Sequence, residues 1–193
     1  ASNSPELSGR IAGRNRRSTE QEQWSFAEAL AVARALEPLD IAWLEEPLPR
    51  HNYRGYARLR DRTDVPIAGG EFNDGPHEVH EFLHHDAVDV LQPDAMLATG
   101  IQEGATIAAS ARDQGVKFVP HTWTNGVGFA ANLHVMTAAR SGWCEFPMEP
   151  PLTPDARDFL LTETLDHEDG YVTAPDGPGL GIELDRSVVD EAE

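Results

Sequence analysis

Apolar positions along this chain follow two periods, one typical of helices and one typical of buried strands. The segment SFAEALAVARALEPL spaces its apolar side chains as on one face of a helix, and Ser25 suits the N-cap. A short apolar run then predicts a strand over residues 41–45. Helical patterns and short apolar runs alternate strictly from there on.

Four further pairs of helix and strand are predicted after this first strand. The helical patterns are YRGYARLRDRT, GPHEVHEFLHH, GIQEGATIAASARDQG and GVGFAANLHVMTAARSG, and the runs that follow them are VPIAGGE, AVDVLQPD, VKFVPHT and WCEFP. Strands joined through helices run parallel with right-handed crossovers. The pattern therefore predicts an α/β fold of five to six βα units within residues 21–150.

The two ends of the chain break this alternation. Residues 1–20 are polar and rich in Ser, Gly and Arg, so we expect an irregular or disordered N-terminal arm. Residues 151–193 are rich in Pro and Gly, as in the stretch PDGPGLGIELD, and we expect them to wrap over the outside of the fold. The α/β region then lies between these two segments.

The charge balance narrows the classes of partner. Thirty-three acidic residues face fifteen basic ones, which gives a net charge of -18 at pH 7. Such a surface repels nucleic acid and anionic lipid, and we expect neither as a partner.

No apolar run approaches the ~20 residues needed to span a bilayer. The single cysteine, Cys144, excludes a disulfide within the chain and favours a cytoplasmic location.

Reactive polar side chains recur at the ends of the predicted strands. Glu45, Glu71, Asp94, His121 and Glu145 are separated by 26, 23, 27 and 24 residues, which is one βα unit each time. In a (β/α)8 barrel, side chains at the carboxyl ends of successive strands converge on one active-site mouth. Each residue alone fits a solvated loop charge, but the shared spacing predicts a partial TIM barrel with one common site.

The residue types at this site suit a metal-assisted reaction. Glu45 and Glu71 end adjacent predicted strands, and two or three carboxylates around a hard cation form an Mg²⁺ site. Asp94 and His121 also end adjacent strands, and the carboxylate would fix the ring tautomer of a general base. Glu145, if protonated in a dry anionic site, can hydrogen-bond a substrate oxygen.

Two loops beside this site carry further candidates. In the first loop, Glu45 and Glu46 are adjacent acids whose charges repel each other. A bound metal ion would remove this repulsion, with Glu45 directed to the metal and Glu46 to a neighbouring base or to solvent. Trp123 and Asn125 follow the histidine in a predicted loop at the mouth. They are candidates for substrate binding, with simple packing as the alternative.

The motifs WLEEP, GGE, QPDAM…TG and PHTW, in this order, resemble the enolase superfamily, in particular its mandelate racemase/muconate lactonizing enzyme-like subgroup. The similarity covers most of the chain, which looks like a truncated C-terminal barrel region of that family. By this resemblance, Glu45 and Glu71 are two of three Mg²⁺ ligands. Asp94 and His121 are the Asp-His dyad of the family, and Glu145 is its carboxylate-stabilising acid.

The resemblance also implies a reaction. Members of the family abstract the proton α to a carboxylate, here in a sugar acid or hydroxy acid, and the metal stabilises the resulting enediolate. Dehydration or epimerisation follows. Such a proton is very weakly acidic, so an imidazole can remove it only when the developing negative charge is strongly stabilised.

Two parts of the family pattern are missing from this chain. One repeat before the first metal ligand, the family carries an Asp, where this sequence has Thr19, Glu20 and Gln21. The family also has catalytic lysines on an earlier strand, whereas Lys117, the only lysine, opens a late one. The alternative is therefore a catalytically inactive fragment. Open strand edges of a partial barrel predict a homo-oligomer or a complementing chain.

Overall fold

The computed structural model describes residues 24–191. The helices are α1 (Phe26–Leu36), α2 (Tyr53–Arg60), α3 (Pro76–His84), α4 (Gly100–Asp113), α5 (Gly126–Ala139), α6 (Pro154–Arg157) and α7 (Arg186–Asp190). The strands are β1 (Leu44–Glu45), β2 (Ile67–Gly69), β3 (Val90–Leu91) and β4 (Lys117–Phe118). A 3-10 turn (Glu37–Leu39) follows α1, and a π-helical turn (Ala95–Thr99) precedes α4.

The four strands form one parallel sheet in the order β1-β2-β3-β4. Leu44 lies opposite Ile67, and Val90 lies opposite Lys117. Neighbours in the chain are thus neighbours in the sheet, and a helix connects each pair, which is the topology of a (β/α) barrel. The predicted fold, an α/β partial TIM barrel, is confirmed.

The first helix begins where the sequence predicts. Ser25 is the N-cap of α1, and its side chain accepts a hydrogen bond from the backbone N–H of Glu28. Glu28 Oε2 in turn accepts from the backbone N–H of Ser25 at 2.8 Å, which completes a capping box. These contacts fix the entry of the chain into the described fold.

Successive strand residues face two different apolar clusters, because side chains alternate along a strand. Ile67 belongs to a large cluster between the sheet and its helices, whereas Ala68 belongs to a small cluster on the opposite face of the sheet. Trp43 packs on the small cluster as well. Glu45 comes two residues after Trp43, so alternation places it on the same face of the sheet as the small cluster, at the carboxyl end of β1.

The fifth predicted strand is not formed. Residues 143–147 have no strand pairing in the structure. Contacts to Thr122 hold this segment instead, since the Thr122 backbone N–H donates to Glu145 Oε2 at 2.8 Å and its hydroxyl donates to the Glu145 carbonyl oxygen. Residues 24–191 therefore contain four βα units rather than the predicted five to six.

The C-terminal segment packs back onto the described fold. Leu161 and Leu184 form an antiparallel bridge, and Leu180 packs on the large cluster. The domain boundaries at residues 20 and 150 stay predictions, and the predicted arm over residues 1–20 lies outside the described residues. Within residues 24–191, no helix is both long enough and apolar enough to cross a membrane.

Candidate active site

Four of the predicted site residues meet in two contacting pairs at the carboxyl edge of the sheet. Glu45 ends β1, and its side chain is hydrogen-bonded to that of Glu71, which follows β2. His121 follows β4, and its Nδ1 lies 2.9 Å from Asp94 Oδ2 after β3. The regular spacing of these residues in the sequence thus corresponds to one edge of the sheet.

Glu71 is an acidic side chain in an unfavourable environment. It is only 6% exposed, and its Oε2 is buried without a hydrogen-bond partner among the described residues. Burial, followed by the negative charges of Glu46, Glu45 and Glu145, raises the pKa of Glu71 well above its ordinary value. A positive charge at this point would relieve both the repulsion and the missing contact.

Gln92 fixes one side of this carboxylate pair. It directly follows β3, is 2% exposed, and its Nε2 donates to Glu45 Oε1 at 3.0 Å. The Gln92 Oε1 atom is buried without a hydrogen-bond partner among the described residues. Sequence reasoning missed this residue. Gln92 lies two residues before Asp94, and this spacing was a signal that both side chains face the site.

The carboxylate pair fits an Mg²⁺ ion. Magnesium takes oxygen ligands, and a buried glutamate oxygen without a partner is a ligand of the right type. Within residues 24–191, no cluster of three or more His, Cys, Asp or Glu side chains could hold a metal. Magnesium commonly keeps several waters in its shell, and Glu45 and Glu71 would supply two of its oxygen ligands. Thr19, Glu20 and Gln21, the positions discussed for a third ligand, lie outside the described residues.

The Asp94–His121 pair has the hydrogen-bond pattern of an oriented base. Asp94 is fully buried, and its Oδ1 accepts from the Met96 backbone N–H at 2.7 Å and from Asn132 Nδ2 at 3.0 Å. Its Oδ2 accepts from His121 Nδ1. Because the proton on Nδ1 is directed to the carboxylate, Nε2 of the neutral ring keeps a lone pair that can take a proton.

Glu145 belongs to the same site although its strand is not formed. Its carboxylate lies near enough to Glu71 to contribute to the raised pKa of that residue. The contacts from Thr122, the residue after His121, hold both its side chain and its backbone. The structure thus brings Glu145 to the site through side-chain contacts with the loop that follows β4.

The two predicted substrate contacts lie in that same loop. Asn125 is the N-cap of α5, and its Oδ1 accepts from the Gly128 backbone N–H at 3.1 Å. Trp123 is half-buried in the loop that connects β4 to α5. Asn125 therefore has a structural function in capping the helix, and substrate binding by either residue stays a prediction.

The prediction for Glu46 is wrong. Its Oε2 accepts from the Tyr56 hydroxyl at 2.6 Å, and its Oε1 accepts from the Gly70 backbone N–H at 2.6 Å. The residue also has a left-handed backbone, with φ 46°. Glu46 is thus turned toward α2 and toward the turn that precedes Glu71, rather than toward a base or solvent.

Three comparisons with known proteins agree on one family. A family model described as Enolase C-terminal domain-like matches residues 20–188. D-galactarolactone cycloisomerase from Agrobacterium fabrum is 37% identical over 174 residues, which cover 87% of this chain and 46% of that protein. Arabinonate dehydratase from Saccharolobus solfataricus is 35% identical over 168 residues, covering 87% of this chain and 44% of that protein. The chain spans less than half the length of these curated relatives.

Solved structures of similar proteins share the fold. A mandelate racemase/muconate lactonizing enzyme-like protein from Roseovarius sp. TM1035 superimposes with a TM-score of 0.79 at 32% identity, over 88% of this chain and 42% of that one. L-talarate dehydratase from Polaromonas sp. JS666, complexed with Mg and L-glucarate, gives a TM-score of 0.74 at 31% identity. That match covers 88% of this chain and 44% of the dehydratase.

Proposed function

The chain belongs to the enolase C-terminal domain-like family of the enolase superfamily, and on that premise we propose that it carries out Mg²⁺-dependent abstraction of the proton α to the carboxylate of a sugar acid, leading to dehydration. The observation that carries this proposal is the contact between His121 and Asp94 at the same sheet edge as the carboxylates of Glu45 and Glu71. A base and a pair of metal ligands are the two components that the reaction needs.

The site residues divide the tasks of this reaction among them. Glu45 and Glu71 would hold Mg²⁺, which supplies stabilisation of the negative charge that develops on the substrate carboxylate. Asp94 holds the imidazole ring of His121, and His121 Nε2 accepts the α-proton. Glu145 would hydrogen-bond a substrate oxygen.

Dehydration needs one more proton transfer. After the Cα–H bond breaks, the C–O bond to the β-hydroxyl breaks, and that hydroxyl leaves as water with a proton from the imidazolium of His121. The resulting enol tautomerises to the 2-keto acid by taking a proton at Cβ and losing the enol O–H proton to water. A single residue can therefore act first as base and then as acid. Lys117, the single lysine of the chain, begins β4 at the rim opposite His121, which favours dehydration over epimerisation by two opposed bases.

The similar proteins support the substrate class. Relatives include dehydratases for arabinonate, for L-talarate/galactarate and for D-galactonate. We propose a small sugar acid as the substrate and Mg²⁺ as the cofactor. A cytoplasmic location and a homo-oligomer or complementing chain as partner stay predictions.

A second candidate is a folded oligomeric module of this family without catalytic activity. The observation that favours it is the lack of a three-residue metal cluster within residues 24–191. Two carboxylates bind Mg²⁺ more weakly than three, so the ion would be lost at low concentration. Affinity for the metal therefore separates the two candidates.

The test combines metal binding with turnover. Titration calorimetry of the purified chain with Mg²⁺ should show binding that is lost in Glu45→Gln and in Glu71→Gln but kept in His121→Ala. Incubation with galactarate, arabinonate and galactonate in D₂O, followed by NMR, should show exchange of the α-proton and appearance of a 2-keto product. His121→Ala should abolish both signals. Failure to bind Mg²⁺ at millimolar concentration would favour the inactive module.

A further inference from the structure

Asn132 is a polar residue at a fully buried position of α5. Its neighbours on the helix, Ala131, Leu133 and Val135, belong to apolar clusters. A buried carboxamide is unfavourable unless its hydrogen bonds are satisfied. Its presence in such a helix therefore requires specific partners.

The partners of Asn132 lie at the Asp94–His121 pair. Its Oδ1 accepts from the Ala95 backbone N–H at 2.9 Å, and its Nδ2 donates to Asp94 Oδ1 at 3.0 Å. The Nδ2 group also donates to the Gly128 carbonyl oxygen at 3.2 Å. These contacts fix the orientation of the amide, because the reversed orientation would bring Oδ1 against two oxygen acceptors and Nδ2 against an N–H donor.

We propose that Asn132 is a positioning residue that holds the Asp94 carboxylate in the one orientation in which Oδ2 faces His121 Nδ1, and this inference rests on the proposed function of that pair. One Asp94 oxygen is occupied by Asn132 and by the Met96 backbone N–H. The other oxygen is thereby directed at the ring. Asn132 acts through Asp94 and does not itself touch substrate.

Gly128, one turn before Asn132 on α5, lies close to the loop before α5 and to the π-helical turn. A Cβ at Gly128 would lie 2.6 Å from Thr124 Cγ2 and 2.7 Å from Met96 Cγ. A side chain at residue 128 would therefore force the side chains of Thr124 and Met96 to move. Met96 lies next to the Asp94–Ala95 segment that Asn132 contacts.

The consequence for the base is a single ring tautomer. With Asp94 held, the proton of the neutral ring stays on Nδ1 and Nε2 remains free to accept the α-proton. When the carboxylate can rotate, the ring loses this preference and part of the population carries its proton on Nε2. That part cannot act as base at Nε2.

The test uses the Asn132→Leu variant, which removes all three hydrogen bonds and keeps a side chain of the same branched shape. The matched control is Leu133→Ala, because Leu133 is 3% exposed, packs with Phe129 and Met136, and is not part of the site. Both variants lose stability through α5, so an effect of lower stability alone would be shared by both. Asn132→Ser serves as a second variant if Asn132→Leu does not fold.

The readout is the ¹⁵N NMR spectrum of the His121 ring in the full chain without metal or substrate, assigned with His121→Gln. Wild type and Leu133→Ala should show the Nδ1–H tautomer, whereas Asn132→Leu should show a mixture. Where wild type turns over a sugar acid, kcat of Asn132→Leu should fall about 10- to 100-fold with little change in KM, as for other residues that support a site indirectly.

An Asn132→Leu spectrum with the same tautomer as wild type overturns the inference, and so does an equal change in Leu133→Ala. Absence of turnover in wild type contradicts the proposed function but not the inference, because the tautomer is measured without substrate. The two failures are therefore distinguishable.

Discussion

The Tyr56 hydroxyl lies 2.6 Å from Glu46 Oε2 and 2.9 Å from the Leu48 carbonyl oxygen, so its one proton is shared between two acceptors. Tyr56 is fully buried on α2. Burial raises the pKa of Glu46, although the hydrogen bond from Tyr56 lowers it in part. Glu46 also accepts a hydrogen bond from the Gly70 backbone N–H. Through these two contacts the Glu46 side chain connects Tyr56 of α2 with the turn that carries Glu71.

Tyr56→Phe should therefore destabilise the protein and weaken Mg²⁺ binding at the proposed metal site. The variant leaves Glu46 Oε2 and the Leu48 carbonyl oxygen without their shared donor, which costs about 1–3 kcal/mol. Tyr53→Phe is the control, since the Tyr53 hydroxyl makes one longer contact, at 3.3 Å, with Asn73. Urea unfolding measures stability and calorimetry measures Mg²⁺ affinity. Equal losses in the two variants would contradict the interpretation.

Glu71→Gln should stabilise the metal-free protein near neutral pH. Because the folded state raises the pKa of Glu71, keeping this carboxyl group among the other buried glutamates costs stability at any pH above its unfolded pKa. A neutral glutamine avoids that cost, so the substitution should raise the free energy of unfolding by on the order of 1 kcal/mol. Thermal unfolding in a chelator measures this change. In the presence of Mg²⁺ wild type should become more stable than Glu71→Gln, because the ion stabilises only wild type.

The control for this prediction is Glu78→Gln. Glu78 Oε2 accepts from the Asp74 backbone N–H at 2.9 Å and lies 3.2 Å from His51 Nε2, so its negative charge has favourable partners. We expect its removal to lower stability slightly, with or without Mg²⁺. A stabilising effect of both substitutions would point to the net charge of the chain rather than to the proposed metal site.

Cys144 should behave as an unreactive thiol. Burial, with a further contribution from the negative charge of Glu145, raises the pKa of the Cys144 thiol to about 12 from a reference of 9.0. The folded state thus favours the protonated thiol. Below the pKa of this thiol in the unfolded chain, the free energy of unfolding does not depend on its titration. It falls as pH rises from that value toward the pKa in the folded state. The slope is at most about 1.4 kcal/mol per pH unit.

Two measurements check this behaviour. Alkylation by iodoacetamide near pH 8 should be slow in the native protein and fast in denaturant. Urea unfolding between about pH 8 and pH 11 should show a steeper loss of stability in wild type than in Cys144→Ala. A native alkylation rate equal to that of an unfolded chain would disprove the assignment.

Much of the fold could be predicted because its signals are local. Helical and strand periods alternate along the chain, and parallel strands joined by helices lead to one topology. Side chains at strand ends then come together, as Asp94 and His121 do across 27 residues of sequence. Their roles in catalysis stay predictions, but their proximity follows from the repeat length alone.

The remainder depends on contacts that no local pattern specifies. The run WCEFP has the composition of a strand, but a strand forms only where a neighbouring segment is available to pair with it. In the structure Thr122 holds Glu145 through hydrogen bonds that involve side chains instead. The sequence predicts that Glu46 faces a neighbouring base or solvent. In the structure its carboxylate accepts a hydrogen bond from Tyr56, which lies ten residues further on in the chain, and the negative charge of Glu45 still contributes to its raised pKa.

Arg157 is a buried cation that attaches the C-terminal segment to α5. It is fully buried, and its Nε and Nη2 donate to Asp158 Oδ1 at 2.7 Å and Oδ2 at 2.6 Å. The guanidinium also lies over the rings of Phe129 and Phe146, at 4.1 Å and 4.7 Å from their centroids. Because Phe146 follows Glu145 in the chain, this contact supports the segment that carries a candidate catalytic acid.

Arg157→Met should destabilise the protein by about 3–5 kcal/mol, because it leaves the Asp158 carboxylate buried without its cation. The double substitution Arg157→Met/Asp158→Asn should lose less than the sum of the two single variants, since the remaining charge is then removed as well. Arg60→Met is the control, because the ion pairs of Arg60 with Asp86 and Asp89 are only partly buried and its loss should cost less, about 1 kcal/mol. Urea unfolding of the four variants measures these differences, and equal losses in Arg157→Met and Arg60→Met would show that burial adds nothing to the Arg157 pair.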